Sequence, residues 1–236
     1  MITICGTLSK AWMAEAIGVA FDRDYYLNPQ RRYAVDCRCN DYAAERFSGI
    51  RLFYSESNLG QIDYWDKNQI LIGGIQPNMI LGMLLGADFV PDPNHDADIT
   101  PRCLSGRTLS ELPSHESLIE NPLIRLFDEQ IRNAHETLWP IPPFFWDVSG
   151  RATIHGVLTS AQKFFGEAIF MDMVSEPQRS RDIMQWIADA YVVLCRHFSQ
   201  IADLPVTGVH VGECSSCLVS PEMAEHFVVP ITSKIG

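Results

Sequence analysis

The segment PVTGVHVGECSSCLVSPEMAEHFVVPITSKIG, residues 205–236, decides the fold because a strand, a polar loop and a helix start follow one another in it. Pro205–Gly212 alternates with the period of two that is typical of a strand, and its β-branched residues suit a pleated surface. After the loop 213–217, Ser220 and Pro221 supply an N-cap oxygen and a first-turn proline. The segment therefore predicts an α/β fold whose site lies between the end of a strand and the following helix.

A long amphipathic helix is predicted before this strand. Over residues 176–204 the apolar residues recur at steps of three or four, and Ser175 with Gln178 has the pattern of a capping box. A helix that returns the chain to a new strand is typical of the βαβ unit of a parallel sheet. The aromatic segment Ile141–Val148 predicts an earlier strand, with Asp147 at its active edge.

The first half of the chain carries weaker signals. Its predicted elements are helices within 1–48, over 76–86 and from 121 onward, and strands over 50–54 and 69–73. Gly86 is the expected C-cap of the second helix. The Asp-rich and Pro-rich stretch 90–101 is interpreted as a solvated acidic loop. Cys37 and Cys39 would point about 200° apart on a helix, which favours two separate thiols over a metal-ligand pair.

Composition limits the classes of function. The chain has 236 residues, 47% hydrophobic and 20% charged, as expected for one globular domain. A net charge of −11 argues against nucleic acid or an anionic membrane as the main partner. The apolar runs are shorter than the roughly 20 residues of a membrane span, and no signal segment opens the chain, so we expect a cytoplasmic protein. Its seven cysteines are then expected to be reduced thiols.

The loop after the strand has three chemical interpretations. His210, Cys214 and Cys217 have residue types and spacing that suit a zinc ion with one open position. Alternatively, Cys214 or Cys217 is a reactive thiolate beside a helix N-terminus. In the third interpretation both cysteines are packing residues. The sequence leaves these three open, and Glu213 adds a carboxylate to the same loop.

Two blocks of the sequence carry a family pattern. The first comprises Gly156-Val157-Leu158-Thr159, Gly166, Met171-Asp172-Met173-Val174 and Glu176-Pro177, and the second comprises Leu218-Val219-Ser220-Pro221-Glu222-Met223, Phe227-Val228-Val229-Pro230 and Ile235. In order and spacing they resemble the uroporphyrinogen decarboxylase superfamily, which includes zinc-dependent methyltransferases that move methyl groups to or from corrinoids.

The resemblance implies a fold and an activity. The fold would be one (β/α)8 TIM barrel over residues 1–236, incomplete at its C-terminus, with the closing strands expected beyond Gly236. The activity would be methyl transfer between a corrinoid (cobalamin) methyl carrier and a thiol or a small methylated substrate. The expected catalytic residues are Cys214, Glu213 and His210, and the expected substrate-binding residues are Asp147, Thr159 and Ser215.

The resemblance also affects the expectation for zinc. The superfamily's zinc methyltransferases take the metal from a His-x-Cys pair on the next strand and a later cysteine, which would lie beyond Gly236. The cluster from His210 to Cys217 would then face the substrate from the neighbouring strand. Zinc binding by Cys214, Cys217 and His210 therefore remains a hypothesis. The expected partners are a small-molecule substrate and a free or protein-bound corrinoid, and the sequence also allows a homodimer.

Two alternative functions remain. The first is decarboxylation of a tetrapyrrole, although Cys214 replaces the substrate-contacting serine that the resemblance places there. The chain also lacks the arginine-rich segment that would bind propionate groups, and no tyrosine lies near Gln162. The second alternative is a non-catalytic protein that binds a corrinoid or a tetrapyrrole.

Overall fold

The computed structural model describes residues 5–47, 51–53, 69–72, 74–136, 139–145 and 149–235. The strands are β1 (Cys5–Thr7), β2 (Arg51–Phe53), β3 (Gln69–Leu71), β4 (Phe89–Val90), β5 (Asp98–Ile99), β6 (Trp139–Ile141), β7 (Arg151–His155) and β8 (Gly208–Gly212). The helices are α1 (Lys10–Ile17), α2 (Arg23–Leu27), α3 (Pro29–Arg46), α4 (Pro77–Leu84), α5 (His115–Leu118), α6 (Pro122–His135), α7 (Val157–Phe165), α8 (Ala168–Ser175), α9 (Pro177–Ala202), α10 (Pro221–Met223) and α11 (Val229–Thr232).

The strands pair in twos. β1 with β2, β3 with β6, and β7 with β8 are parallel, whereas β4 and β5 form an antiparallel pair. The α/β class predicted from the sequence is therefore confirmed. Over the described ranges the sheets do not join into a closed barrel, so the eight-stranded barrel stays a prediction.

The unit β7–α7–α8–α9–β8 is the part that positions the candidate site. The 26-residue helix α9 begins at Pro177 and connects to β8, which confirms the predicted long helix and the strand after it. The predicted capping box is wrong: Glu176 is the N-cap residue, and the Ser175 hydroxyl donates to the Met171 carbonyl at 3.1 Å. Gln178 instead donates to Asp182, one turn further along α9, at 2.7 Å.

The predicted strand Ile141–Val148 is also wrong over residues 142–145, whereas residues 146–148 lie outside the described residues. β6 ends at Ile141, and Pro142 and Pro143, which have no N–H to donate to a ladder, follow it. Phe144 then adopts a positive φ of 75° in a turn. Its ring is buried, so Phe144 packs into the core from a turn rather than from a strand. Asp147 lies outside the described residues.

The N-terminal predictions need a similar correction. Residues 1–48 were expected to be helical, but Cys5–Thr7 form β1, which pairs with β2; α1 to α3 follow. Cys39 is buried and Cys37 is partly exposed on α3, in agreement with two separate thiols. The expected helix over 76–86 is confirmed as α4, and Gly86, at φ 94°, follows its last turn.

The acidic loop folds back through the short β4–β5 pair. Within it, Asp96 pairs with Lys10 and Asp98 pairs with Lys163, so two of its carboxylates tie the loop to α1 and α7. The core beneath contains large, fully buried side chains from several helices, namely Tyr25, Phe127, Phe164, Tyr191 and Phe198. None of the helices in the described ranges combines the length and apolar character that crossing a bilayer requires.

Candidate functional site at the carboxyl edge of β7 and β8

The Glu213 carboxylate caps the N-terminus of α7. Its Oε2 accepts from the Leu158 N–H at 3.0 Å, and its Oε1 accepts from the Thr159 N–H at 2.8 Å and from the Thr159 hydroxyl at 2.6 Å. A carboxylate in this position satisfies helix N–H groups that have no partner within the helix and meets the positive end of the helix dipole. The loop after β8 is thereby fixed to the helix after β7.

Gly156 makes this contact geometrically feasible. It is the N-cap residue of α7 and has no side-chain oxygen, so the capping group comes from Glu213 on the neighbouring strand's loop. A Cβ at Gly156 would lie 2.0 Å from Glu213 Oε2 and 2.7 Å from Glu213 Cβ, which is closer than atoms can approach. The absence of a side chain at position 156 is therefore a condition for the Glu213 cap.

Thr159 links this cap to Ser215. The Thr159 oxygen donates to Glu213 and accepts from the Ser215 N–H at 2.9 Å, and the Ser215 hydroxyl donates to Gln162 Oε1 at 2.6 Å. Three of the residues expected from the sequence, Glu213, Thr159 and Ser215, therefore lie in one hydrogen-bonded network. Because their polar groups bond to one another, this network holds the loop in shape.

The cysteines of the loop lie on its outer side. Residues Cys214–Leu218 form a single 3₁₀ turn in which both cysteines are exposed, and the Cys217 thiol donates to the Cys214 carbonyl at 3.0 Å. The interpretation of these two cysteines as buried packing residues is therefore wrong. Ser220 then caps α10 by accepting from the Met223 N–H at 3.3 Å, as predicted.

A polar sheet face lies next to the loop. In β7, Ala152 and Ile154 are fully buried against the helices, so Thr153 and His155 point to the opposite face. His210 of β8 is the register partner of Thr153 and shares that face. We call Thr153, His155 and His210 the polar face; sequence analysis identified only the last of them as a site residue.

Two polar atoms of this face are buried, one on Thr153 and one on His155. Neither the Thr153 hydroxyl nor His155 Nδ1 has a hydrogen-bond partner among the described residues, and Thr153 is only 9% exposed. Burial lowers the pKa of His155 to about 4, so its imidazole is neutral at physiological pH. Buried groups of this kind are normally hydrogen-bonded, and an unpaired pair on one face favours a ligand that supplies the missing partners.

Glycines leave space over the polar face. Gly208 and Gly212 belong to the same face of β8, opposite Arg151 and His155 respectively. A Cβ at Gly208 would meet no described atom within 4 Å, and one at Gly212 would meet only the Ile154 carbonyl oxygen, at 3.8 Å. The alternation of Arg151, Thr153 and His155 was the sequence signal for this face, but it was missed because the strand was expected at 141–148.

A metal centre is not formed by the described side chains. Nowhere in the described ranges do three or more histidine, cysteine, aspartate or glutamate side chains come together as a metal-binding group. Glu213, the acidic neighbour of Cys214, has its carboxylate bound to α7. The arrangement therefore offers hydrogen-bonding groups and exposed thiols, and the zinc set of His210, Cys214 and Cys217 stays untested.

Comparison with known proteins identifies the fold. Neither the protein-family models nor the curated proteins give a match to this sequence. A solved structure of a methyltransferase from Methanosarcina mazei superposes with a TM-score of 0.61 at 11% sequence identity, covering 99% of this chain and 61% of that one. The chain thus has the fold of that methyltransferase and spans about 61% of its length.

Proposed function

We propose that this chain belongs to the uroporphyrinogen decarboxylase superfamily and transfers a methyl group from a corrinoid to a thiol. The observation that carries the proposal is the pair of buried polar atoms on Thr153 and His155, which have no hydrogen-bond partner in the part of the chain that the structure describes and lie at the carboxyl edge of two parallel strands. Active sites of α/β proteins are built at this edge. The methyltransferase fold of the structural neighbour supports the choice of reaction class.

The polar face would bind the methyl donor. A corrinoid carries amide groups around its ring, and these can both donate and accept hydrogen bonds. The neutral imidazole of His155 and the Thr153 hydroxyl would supply partners without adding a charge, because burial lowers the pKa of His155 to about 4. The space over Gly208 and Gly212 would leave room for the ring.

The acceptor thiol would approach from the exposed side of the face. His210 is exposed there, and we assign it the removal of the thiol proton. The sulfur then attacks the methyl carbon, an S–C bond forms, and the bond from carbon to the donor breaks with its electron pair staying on the donor. Glu213 is assigned a positioning role, since it fixes the loop through Leu158 and Thr159. Cys214 would line the mouth beside the acceptor.

No step of this proposal uses zinc. Activation of a substrate thiol by zinc would require a set of protein ligands, and the described side chains do not form one. A purified sample analysed for metal, beside a Cys214→Ala/Cys217→Ala double variant, tests the zinc hypothesis separately. Stoichiometric zinc that is lost in the double variant would establish the loop as a metal site.

The test of the function is a methyl-transfer assay. Methylcobalamin and 2-mercaptoethanol are incubated with the protein, and the methyl thioether is quantified by mass spectrometry. We expect thioether formation above the rate without protein. His155→Phe and Thr153→Val should each lower kcat/KM about tenfold, the equivalent of one lost hydrogen bond of about 1.4 kcal/mol.

A matched control uses a histidine far from the polar face. His95 is exposed in the loop between β4 and β5, so His95→Phe should leave kcat/KM unchanged. Failure of the folded protein to form thioether above background would refute methyl transfer to a thiol. Corrinoid binding without turnover would instead favour the binding-protein alternative. Loss of carbon dioxide from a carboxylated tetrapyrrole would favour the decarboxylase alternative.

A further inference from the structure

The turn after Glu213 carries two exposed thiols that are three residues apart, Cys214 and Cys217. In a 3₁₀ turn the side chains at positions i and i+3 eclipse, and with a rise of about 2.0 Å per residue their Cα atoms lie about 6 Å apart. That separation falls within the range of about 4.4–6.8 Å that disulfides span. The backbone of this turn therefore already has the spacing of a disulfide.

The Cys217 sulfur is already directed toward residue 214. It donates to the Cys214 carbonyl oxygen at 3.0 Å, so its position is set by one weak hydrogen bond. Rotation about the Cys217 Cα–Cβ bond releases the sulfur from this carbonyl. Because both side chains are exposed, this rotation meets little resistance from packing.

Four other thiols, those of Cys37, Cys39, Cys103 and Cys195, are less reactive. Burial raises the pKa of Cys39 and of Cys195 to about 12, so at pH 8 only about one such thiol in 10⁴ is ionised. Burial also raises the pKa of Cys37 and of Cys103. Since the thiolate is the form that attacks a disulfide, oxidation should select the exposed pair.

We propose that Cys214 and Cys217 form a redox-active dithiol that exchanges with small-molecule disulfides such as oxidised glutathione. One cysteine attacks a sulfur of the small disulfide, forming a mixed disulfide and releasing one thiol. The second cysteine then attacks the protein sulfur of the mixed disulfide and releases the second thiol. The protein loses two hydrogen atoms and becomes a disulfide, while the small disulfide is reduced to two thiols. This proposal does not rest on the methyl-transfer function.

Closure of this disulfide would act on the network of the site. Ser215 lies within the closed turn, and its N–H and hydroxyl bind Thr159 and Gln162 at 2.9 and 2.6 Å. A disulfide across the turn restricts the backbone on both sides of Ser215. We therefore expect slower amide hydrogen exchange of the turn in the oxidised protein.

The test is oxidation by glutathione buffers in the presence of a metal chelator. Free thiols are blocked after equilibration, and digested peptides are analysed by mass spectrometry. We expect a disulfide within the peptide that contains Cys214 and Cys217, fully reversed by a dithiol reductant. Cys37 and Cys39 serve as the comparison pair in the same sample, because they are also close in sequence, two residues apart, but lie on an α-helix. Their bonded fraction should be at least about tenfold lower, given their raised pKa values.

A single variant separates the two steps. Cys217→Ser should stop the reaction at the mixed disulfide of Cys214 with glutathione, because the second thiol is missing. Unreacted Cys214 and Cys217 in the native protein would overturn the proposal. Mixed disulfides that persist on both residues would overturn it as well. Each result is read from peptide masses and is independent of the methyl-transfer assay.

Discussion

Replacing Gly156 with alanine tests the contact that orders the candidate site. The new Cβ would lie 2.0 Å from Glu213 Oε2 and 2.2 Å from Glu213 Cδ. It would also lie 2.7 Å from Glu213 Cβ, which is fixed to the backbone after β8, so a rotation of the carboxylate alone cannot relieve the clash. The Glu213 cap must therefore leave the N-terminus of α7.

The cost follows from the bonds that are lost. Glu213 accepts three hydrogen bonds, from the Leu158 and Thr159 N–H groups and the Thr159 hydroxyl. Loss of a helix cap costs about 0.5–2 kcal/mol, and a hydrogen bond to a charged group contributes about 1.5–3 kcal/mol. Because Glu213 is partly exposed, water can replace some of the lost hydrogen bonds. We therefore expect Gly156→Ala to lower the free energy of unfolding by about 2–4 kcal/mol. Urea unfolding followed by circular dichroism measures it.

A double-mutant cycle shows whether the loss acts through Glu213. Glu213→Gly should cost at least as much as Gly156→Ala, since it removes the same three bonds together with the Cβ of residue 213. In the Glu213→Gly background both the carboxylate and the Cβ of residue 213 are gone, so the clash is removed, and the backbone of residue 156, at φ −62° and ψ 156°, suits alanine. There Gly156→Ala should be neutral or stabilising by about 0.4–1 kcal/mol. Additive losses in the double variant would refute the reasoning.

Two further predictions concern buried polar groups. Burial lowers the folded-state pKa of His155 to about 4, whereas an unfolded histidine titrates near 6.5, so the unfolded chain binds the extra proton between these values. The contribution of His155 to the free energy of unfolding is thus complete above about pH 6.5, and about 3 kcal/mol is lost as the pH falls toward 4. In His155→Asn, the urea unfolding midpoint should therefore fall less steeply with falling pH than in the native protein. Parallel pH profiles of the two proteins would contradict this. Tyr191→Phe should lower the free energy of unfolding by about 1–2 kcal/mol, because it removes the hydrogen-bond partner of the fully buried Ser160 hydroxyl, 2.7 Å away. In urea unfolding, the Ser160→Ala/Tyr191→Phe double variant should lose less stability than the sum of the two single losses. Strict additivity would refute the pairing.

The sequence predicted elements whose signal is local. β8 and α9 were found because residue alternation and helical periodicity extend over whole elements, and Ser220 was recognised as an N-cap from its own side chain and the proline after it. The strand over 141–148 was misplaced because apolar aromatic residues suit a buried turn as well as a strand. Pro142 and Pro143 decide between the two by removing backbone donors.

The candidate site was harder to predict because its contacts are distant in sequence. Glu213 and Thr159 were both chosen as site residues, but the 54-residue separation between them gave no sign of their hydrogen bond. The same holds for Gly156: only the distant Glu213 side chain requires that residue 156 has no side chain. Thr153 and His155 were missed because the strand was expected at 141–148, so the alternation of residues along β7 was not used.

The measurement that tests the central claim most directly is a histidine side-chain NMR titration with methylcobalamin. The resonances of His155 and His210, assigned through single-residue variants, should shift on binding, because both lie on the polar face. His197, bound to Asp128 at 2.8 Å, and His115, bound to the Trp186 carbonyl at 2.9 Å, lie among the helices and should stay unchanged. Shifts confined to these two control histidines, or no shift at saturating methylcobalamin, would contradict a methyl-donor site on this face.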